Sequence, residues 1–485
     1  MPMQSEGSCL VHPAEAPTRE RLLFLNEGVP EGGMRRRTEG VSRVPWRISP
    51  EPFPLRAQTV ARLEQLGHDL LAFYRAANHL YLGAVHGRLP DWVRDYFERG
   101  KTERVRELGS LRRYRTQVPR ILRPDLMALE DGSLRATELD AVPGGFGSLA
   151  AFSRRYAALG FDLVGGGDGL VRGLADMFRD VAPGDAPTVA MVVSDESADY
   201  RAEMGWMADA LREVGLNAHL IYPHDVRLDG DALTFEAEGR RQTADVVYRF
   251  LELHDLPNVP KIDLVIYAMK HRLARVTPPF KSYLEEKLLF ALYRHPELEG
   301  FWRGELGAEV FERLLEVFAE TWVLDARPIP PSAAVCPPLV TAGEVIRRWK
   351  DLYGLSQKQR RLVVKPSGFS ELAWGSRGVT IGHDVSGDVW DAEVRRALSS
   401  FDRTPYVLQH FYESRRVPVH YFDFEADETR QMDGRARVSP FYYVIGDEAV
   451  LAGVLVTVVP SPNKVIHGTP EAVLAPAMIS DSAII

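Results

Sequence analysis

Apolar residues recur every three or four positions over residues 55–108, which is the spacing of a helix with one buried face. The stripe is formed by Val60, Leu63, Leu66, Leu70, Leu71 and Tyr74. A second helix is predicted from Pro90 to about Leu108. We therefore expect a helical region over residues 46–115. The preceding residues 1–45 are rich in Pro, Gly, Glu and Arg without a clear period, which predicts a poorly ordered or peripheral arm.

Short β-like runs replace the helical pattern after residue 116. Two of them, at about 121–127 and 134–140, flank the dipeptide Asp131-Gly132, which is a strong hairpin signal. Residues two apart on a strand point to the same face, so Arg123 shares a face with Asp125, and Glu138 shares one with Asp140. The pattern predicts a hairpin that gathers one guanidinium and three carboxylates.

Three carboxylates beside one guanidinium favour a cation site. Their mutual repulsion would force at least one of them to take up a proton unless a cation relieves it. Mg²⁺ prefers a few carboxylate oxygens together with phosphate oxygens and water. The alternative is an exposed hairpin that carries ordinary surface charges.

Strand and helix patterns alternate over residues 186–275. The runs TVAMVVS, AHLIYP and DVVYRFLEL are typical of strands, and AEMGWMADALREVG is typical of an amphipathic helix that ends at Gly215. This rhythm predicts a small parallel sheet with right-handed crossovers. Helices are expected again over 281–325 and near 389–400, and long strands over 437–466.

A lysine followed by a glycine-rich stretch suggests a phosphate site. In LVVKPSGFSELAWGSRGVTIG an apolar strand ends at Lys365-Pro366, and a glycine-containing loop leads to a second strand. Lysine can hold a phosphate as a point charge, and glycines let backbone N–H groups approach phosphate oxygens. The P-loop is excluded because the lysine precedes the glycines and no helix N-terminus follows. A plain hairpin with a long loop and a surface lysine is the alternative.

Two further segments are weaker candidates for nucleotide contacts. The strand YVLQHFYE could offer backbone groups of Gln409, His410 and Phe411 to an adenine edge, although a core strand is the alternative. Lys287 is predicted on a helix beside the buried stripe of Leu284, Leu288 and Leu292. Its alternative is a solvated surface lysine.

Composition narrows the class of protein. A chain of 485 residues predicts two or three domains. The formal net charge of −8 and the pI of about 6.0 argue against a nucleic-acid binder recognised by bulk charge. No apolar run is long enough for a membrane span, and no signal peptide is evident. The two cysteines, Cys9 and Cys336, give neither a disulfide framework nor a Cys-type zinc site. We therefore expect a cytoplasmic protein without nucleic-acid or membrane partners, of open oligomeric state.

In this order the motifs resemble the circularly permuted ATP-grasp enzymes, and in particular the synthetase domain of glutathionylspermidine synthetase. The resemblance implies an α/β (α+β) fold with an inserted pre-ATP-grasp βαβ domain and an N-terminal helical region. The implied divisions after the arm (1–45) and the helical region (46–115) are an ATP-grasp part with the Mg motif (116–160), the pre-ATP-grasp domain (161–280), the nucleotide-binding part with a Gly-rich lid (281–420), and C-terminal strands that complete the core (421–485). Asp140 stands where the family has Asn, which adds a charge to the metal site.

The resemblance also implies a function. The chain is expected to be an ADP-forming carboxylate–amine ligase that acts on small-molecule substrates through an acyl-phosphate, with ATP and Mg²⁺. Arg123 would be catalytic. The implied Mg²⁺ ligands are Asp125, Glu138 and Asp140, and the implied ATP-binding residues are Lys287, Lys365, Pro366, Gly375, Ser376, Arg377, Gly378, Gln409, His410 and Phe411. Two alternatives stay open, which are a catalytically idle ATP-binding partner protein and an ATP-grasp phosphotransferase.

Overall fold

Helices and several separate sheets build the chain, so its fold is mixed α/β. The computed structural model describes residues 18–26, 35–38, 41–45, 47–182, 186–328, 334–373, 375, 377–423, 426–466, 471–483 and 485. Its helices are α1 (Thr18–Asn26), α2 (Ala57–Val85), α3 (Asp91–Glu98), α4 (Glu103–Ser110), α5 (Phe146–Ala158), α6 (Gly169–Val181), α7 (Arg201–Glu213), α8 (Ile262–His271), α9 (Leu288–Tyr293), α10 (Glu299–Leu306), α11 (Ala308–Val317) and α12 (Gly387–Ser399). None of these helices is long and apolar enough to cross a lipid bilayer.

Strands occur throughout the described part of the chain. They are β1 (Arg35–Thr38), β2 (Val41–Pro45), β3 (Arg47–Ile48), β4 (Phe53–Leu55), β5 (Ile121–Ala128), β6 (Leu134–Asp140), β7 (Val189–Val193), β8 (Ala218–Ile221), β9 (Arg227–Asp229), β10 (Ala232–Ala237), β11 (Arg240–Thr243), β12 (Val246–Phe250), β13 (Arg275–Thr277), β14 (Thr321–Leu324), β15 (Leu339–Thr341), β16 (Glu344–Ile346), β17 (Leu362–Pro366), β18 (Thr380–Ile381), β19 (Tyr406–His410), β20 (Arg416–Asp423), β21 (Glu428–Ile445), β22 (Glu448–Pro460) and β23 (Val473–Ile479).

The largest sheet joins the hairpin β5–β6 to the C-terminal strands. Its order is β3-β23-β22-β21-β5-β6, with β20 also on β21 and β4 on β23. Helix α2 packs on this sheet through its predicted apolar stripe, and Gly67 allows the close approach, because a Cβ there would lie 2.6 Å from the ring of Tyr442. The hairpin and the long C-terminal strands, both predicted, therefore belong to one layer.

A parallel sheet of order β13-β12-β7-β8 forms a second layer. All five residues of β7 and all five of β12 are buried, which is expected of parallel strands covered on both faces. Helix α7 ends at Glu213 with Val214 as its cap, and Gly215 follows with φ +81, as the predicted helix stop requires. The predicted βαβ rhythm is confirmed here. The small antiparallel sheet β11-β10-β9, inserted between β8 and β12, was not predicted.

The predicted glycine-rich segment belongs to a third sheet, which is antiparallel and has the order β14-β19-β17-β18. Helix α12, predicted near 389–400, covers one face with Trp390 and Val394 in the core. Lys365 lies on β17, and Gln409 on β19 pairs with Val363 of β17. This sheet therefore carries four of the predicted nucleotide-binding residues, which are Lys365, Pro366, Gln409 and His410.

Residues 90–108 form two helices, so the single predicted helix is wrong. The break is at Gly100, which has φ +74 and lies so close to Arg403 that a Cβ would approach its carbonyl oxygen to 2.0 Å. The side chain of Thr102 then accepts a hydrogen bond from the N–H of Val105 and starts α4. Gly100 and Thr102 were the stop and start signals that the periodicity argument overlooked.

Within the arm 1–45, residues 18–26 form α1, which buries Leu22 and Leu25 in a small core with Phe152 and Tyr156. Strands β1 and β2 pair with each other. Residues 1–17, 27–34 and 39–40 of the arm lie outside the described residues.

Candidate functional site

The hairpin β5–β6 places its charged residues on one face, as predicted. The two strands pair with Arg123 opposite Asp140 and Asp125 opposite Glu138. Arg123 lies 3.2 Å from Asp125 through Nε and 3.0 Å from Asp140 through Nη2, and it also donates to the carbonyl of Gly144 at 2.9 Å. Burial works against its charge, but the carboxylates of Asp125 and Asp140 raise the pKa of Arg123 above its ordinary value. Arg123 therefore stays a cation within the cleft.

Asp125 is the most enclosed of the three carboxylates. Besides Arg123, it accepts hydrogen bonds from Arg437 Nη1 at 3.1 Å and from the hydroxyl of Ser439 at 2.9 Å. Its side chain is 6% exposed, compared with 36% for Glu138 and 29% for Asp140. Asp125 thus holds two guanidinium groups in place. Arg437 was missed from the sequence because its strand gives no sign that β21 pairs with β5.

Two lysines from separate elements meet the hairpin. Lys287 Nζ lies 2.7 Å from Glu138 Oε1, and it donates to the carbonyl of Ala373 at 3.1 Å. Lys365 Nζ donates to the carbonyl of Thr137 at 2.8 Å. The prediction that Lys287 lies within a helix is wrong, because it immediately precedes α9 and the preceding residues form a 3₁₀ turn. Both lysines nevertheless point at the carboxylate-bearing strand.

Neighbouring charges and burial shift the pKa values of the two lysines and of the carboxylates on the hairpin. Burial opposes the ionised form of Glu138, but Lys287 and Lys365 bring its pKa below the usual range. Burial likewise opposes the charge of Lys287, yet Glu138 raises its pKa. Lys365 has a pKa lowered to about 8, mainly by burial. Burial also raises the pKa of Asp140, in spite of Arg123.

The glycine-rich loop contributes less to the cleft than predicted. Gly375 lines the cleft and has φ +65, which favours glycine. Pro366, Arg377 and Gly378 are not among the residues that line it, and Arg377 lies 3.7 Å from Glu196 on the parallel-sheet side. Ser376 lies outside the described residues. The loop therefore reaches across to the parallel-sheet layer.

The segment Gln409–Phe411 lines the cleft but uses its side chains elsewhere. Gln409 donates from Nε2 to the hydroxyl of Thr321 at 2.9 Å, and His410 Nε2 lies 3.1 Å from Glu320. The backbone N–H groups of His410 and Phe411 also donate elsewhere, to the carbonyls of Glu320 and Arg361 at 3.0 Å each, so a ligand could meet this segment through the ring of Phe411.

Glu252, at the carboxyl end of β12, is a site residue that the sequence did not reveal. It lines the cleft, and its carboxylate has neither a hydrogen-bond nor an ion-pair partner among the described residues. Burial, with Glu285 and Asp140 nearby, raises its pKa to about 8. Its place after a parallel strand was a usable signal, since ligands bind beyond the carboxyl ends of such strands.

The cleft lies between the large sheet and the antiparallel sheet β14-β19-β17-β18, and its cavity volume is about 170 Å³. A second cavity of about 80 Å³ adjoins it and shares Glu138, Asp140, Glu252 and Lys287 with it. Apolar side chains line one part of the cleft, among them Met127, Val363, Val379, Ile381, Phe411 and Ile466. The cleft thus combines an apolar region with a charged one, which suits a ligand with a flat ring and an anionic tail.

The predicted metal ligands are close together but paired with basic groups. Within the described residues, no three His, Cys, Asp or Glu side chains are arranged as a ready metal cluster. Glu138 and Asp140 are nevertheless the most accessible carboxylates of the hairpin, and each makes one ion pair there. Their oxygens fit a hard cation that also takes phosphate oxygens.

Comparison with known proteins identifies the fold but no family. No family model and no curated protein matches the chain. A glutathione synthetase-like effector from Globodera pallida, in its apo form, superposes with a TM-score of 0.57 at 13% identity, over 97% of this chain and 99% of that one. A putative gamma-glutamylcysteine synthetase from Methylobacillus flagellatus KT covers 87% and 86% at 14% identity, but its TM-score of 0.37 is too low to establish a shared fold. The chain therefore shares its overall fold with the Globodera pallida effector.

Proposed function

We propose that the chain is an ATP-dependent ligase that joins a carboxylate to an amine through an acyl-phosphate and releases ADP and phosphate. The observation that carries the proposal is the contact of two lysines, from separate elements, with a hairpin that bears Arg123, Glu138 and Asp140. Such a set can hold a triphosphate and stabilise charge during phosphoryl transfer. The glutathione synthetase-like fold supports the same class of reaction.

ATP fits the two halves of the cleft. The adenine would lie among the apolar side chains near Val363 and Phe411, and the triphosphate would lie toward the lysines. Lys287 and Lys365 now donate to the carbonyl groups of Ala373 and Thr137, and phosphate oxygens could take over these positions. The charged end of the cleft therefore has donors of the right kind for a polyanion.

Mg²⁺ would be held by Glu138 and Asp140 together with phosphate oxygens, and Asp125 would orient the two arginines beside it. When bound, the ion would screen the charge on the phosphoryl group. Arg123, between Asp125 and Asp140, would stabilise the negative charge on the transferring phosphoryl group and then on the tetrahedral intermediate.

The amine would approach from the second cavity, where Glu252 lies. A carboxylate of the substrate attacks the γ-phosphate, and the amine nitrogen then attacks the acyl carbon and displaces phosphate. The amine must be neutral for this step. We propose that the ionised form of Glu252 takes up its proton, since a carboxyl with a pKa of about 8 is ionised in part of the molecules near neutral pH and is then a stronger base than an ordinary carboxylate.

The first test is nucleotide binding by thermal shift, with and without Mg²⁺. ATP at about 100 times its dissociation constant should add roughly 2.7 kcal/mol of stability. Glu138→Ala should lose the Mg²⁺-dependent part of the shift. Glu130→Ala is the matched control, because Glu130 lies in the turn of the same hairpin, where its side chain is exposed. No response of the wild type to any nucleotide would contradict the proposal.

The second test separates the ligase from its alternatives. ADP release that requires both a carboxylate and an amine is expected for the ligase. Phosphate transferred to a hydroxyl would indicate a phosphotransferase. Tight Mg-ATP binding without turnover over a broad panel of acids and amines would indicate an idle ATP-binding protein.

A further inference from the structure

A buried ion pair lies next to the two lysines of the cleft without lining the cleft itself. Lys101 Nζ lies 2.6 Å from Glu286 Oε1, and the side chains are only 2% and 3% exposed. The other carboxylate oxygen of Glu286 accepts a hydrogen bond from the hydroxyl of Ser367, which is fully buried. We name Lys101, Glu286 and Ser367 the anchor cluster.

Ser367 connects the segments that carry the two lysines. Its carbonyl accepts the N–H of Lys287 at 2.7 Å, and its hydroxyl accepts the N–H of Leu288 at 3.0 Å. Its own N–H donates to the carbonyl of Pro405, just before β19, at 2.9 Å. Lys287 follows Glu286 directly, and Lys365 precedes Ser367 by two residues. The anchor cluster therefore sets where both lysine backbones lie relative to each other.

The same cluster fixes the start of the glycine-rich loop. A Cβ on Gly368 would lie 2.6 Å from the carbonyl oxygen of Glu285 and 2.8 Å from the carboxylate of Glu286, so the chain passes directly against the cluster. The Lys101 ammonium lies 5.9 Å from the ring centroid of Phe369. The direction in which the loop leaves β17 thus depends on these contacts.

A buried ion pair is weak evidence for stability, because removing both charges from water costs about as much as their attraction returns. The contribution of this pair is to fix the orientation of the hydrogen-bonding groups around it. The Glu286 carboxylate has one oxygen on Lys101 and the other on Ser367, so the ammonium orients the carboxylate and the carboxylate orients the hydroxyl. An apolar pair of the same volume would leave the Ser367 hydroxyl free to rotate.

We propose that the anchor cluster is a positioning device, which holds Lys287, Lys365 and the start of loop 367–379 in the arrangement that nucleotide binding requires. The proposal rests on the function proposed above. Its residues do not touch the nucleotide; they act through the two lysines and the loop.

The first experiment needs no ligand and measures backbone hydrogen exchange in the full-length protein. In Ser367→Ala and Glu286→Gln, exchange should rise in the peptides that cover 286–290 and 366–372. The matched control is Asp69→Asn, since Asp69 is a buried carboxylate in an ion pair with Arg313 between α2 and α11. Its exchange should rise around those helices and stay unchanged at the two anchored segments. Equal exchange at these segments in the wild type and both anchor variants would overturn the proposal.

The second experiment measures the dissociation constant of Mg-ATP by calorimetry. Ser367→Ala should weaken binding by about tenfold, the equivalent of one lost hydrogen bond to a charged group, whereas Asp69→Asn should leave binding unchanged at a similar loss of melting temperature. Binding within twofold of the wild type, at a lowered melting temperature, would reduce the cluster to a general stability contact and overturn its positioning role.

A double variant keeps the test decisive if Glu286→Gln alone folds poorly. Lys101→Met combined with Glu286→Gln removes the pair without leaving a buried charge unpaired, and the carbonyl oxygen of the introduced amide can still accept from Ser367. The double variant should regain the melting temperature and part of the lost affinity. Failure of the wild type to bind nucleotide would contradict the proposed function, and the exchange data would then decide by themselves whether the cluster holds these segments.

Discussion

The two walls of the cleft surround their carboxylates with opposite charges. On the hairpin wall, Glu138 and Asp140 make ion pairs with Lys287 and Arg123. On the wall at the end of β12, the Glu252 carboxylate makes no ion pair within the described residues, and burial together with Glu285 and Asp140 raises its pKa in spite of the charges of Arg249 and Lys287. Both carboxylates are half-buried, yet the pKa of Glu138 is lowered and that of Glu252 is raised to about 8. Burial favours the neutral form of both. At Glu138 the charges of Lys287 and Lys365 outweigh it, whereas at Glu252 burial prevails, so that carboxyl can exchange a proton near pH 8.

The largest effect on the reaction rate is expected from Arg123→Met, which removes the guanidinium of the hairpin wall. Loss of this guanidinium removes a positive charge from the transferring phosphoryl group and leaves Asp125 and Asp140 to repel each other. The rate of ADP release at saturating substrates should fall by about 10²–10³-fold. Rapid-quench measurement of ADP formation checks this.

The matched control for that variant is Arg120→Met. Arg120 lies at the start of the same strand and pairs with Asp180 at 2.5 Å, outside the cleft. It should keep the wild-type rate even if the melting temperature falls. Equal losses in both variants would mean that Arg123 acts through stability and not through charge in the cleft.

A smaller effect is expected when a glutamate on each wall is replaced by glutamine, and the two replacements should affect different steps. Glu138→Gln should weaken Mg-ATP binding by at least about tenfold while leaving Mg²⁺-free binding nearly unchanged, because a metal ligand is lost. Glu252→Gln should leave Mg-ATP binding unchanged and lower the rate with the amine substrate, most strongly at about pH 8 and above, where the wild-type carboxyl is ionised and can accept a proton. Calorimetry with and without Mg²⁺, and pH–rate profiles, measure these outcomes. A loss of Mg-ATP binding in Glu252→Gln would contradict the assignment of the walls.

The sequence predicted the hairpin wall well because its signals are local. Asp131-Gly132 specified the turn, and the two-residue spacing then placed Arg123, Asp125, Glu138 and Asp140 on one face. The strand–helix rhythm of the parallel sheet was predictable for the same reason. The prediction of helix boundaries was wrong where a single glycine ends a helix, as at Gly100.

The opposite wall was missed because its signals depend on contacts between distant segments. Glu252 differs from other glutamates only because its carboxylate makes no ion pair within the described residues. Arg437 lies 312 positions from Asp125, which it contacts. The hydrogen bond from the Gln409 side chain to Thr321 was not predictable either, because Thr321 is on a neighbouring strand. Spacing along the chain carries no information on such pairs.

A further comparison predicts opposite signs for the pH dependence of stability. The pKa of Glu252 rises from 4.5 in its ordinary state to about 8 in the folded one, so the unfolded chain loses that proton first, and stability falls as pH rises from 4.5 to 8. Glu252→Gln cannot ionise, so its stability relative to the wild type should increase over this window. The pKa of Glu138 is lowered, so its contribution is present above pH 4.5, and Glu138→Gln should be less stable than the wild type there.

Urea unfolding at about pH 5, 6.5 and 8.5 measures both trends, with the slope m checked for constancy. The two variants serve as controls for each other, because each replaces a half-buried glutamate by glutamine in the same cleft. The same sign of change for both variants across the window would contradict the difference between the walls.

The smallest expected effect concerns the two lysines of the hairpin wall. Burial lowers the pKa of Lys365 to about 8, whereas Glu138 holds that of Lys287 above its ordinary value. As pH rises through about 8, the free protein loses the Lys365 charge, while a bound triphosphate favours the ammonium, so nucleotide affinity should fall by at most about tenfold per pH unit. Lys365→Arg should keep the affinity constant between about pH 7 and 9, because a guanidinium stays charged, and Lys287→Arg should keep the decline. Calorimetric titration with ADP over this range decides the matter: a flat profile for the wild type would show that Lys365 keeps its proton, and that the hairpin wall neutralises both lysines equally.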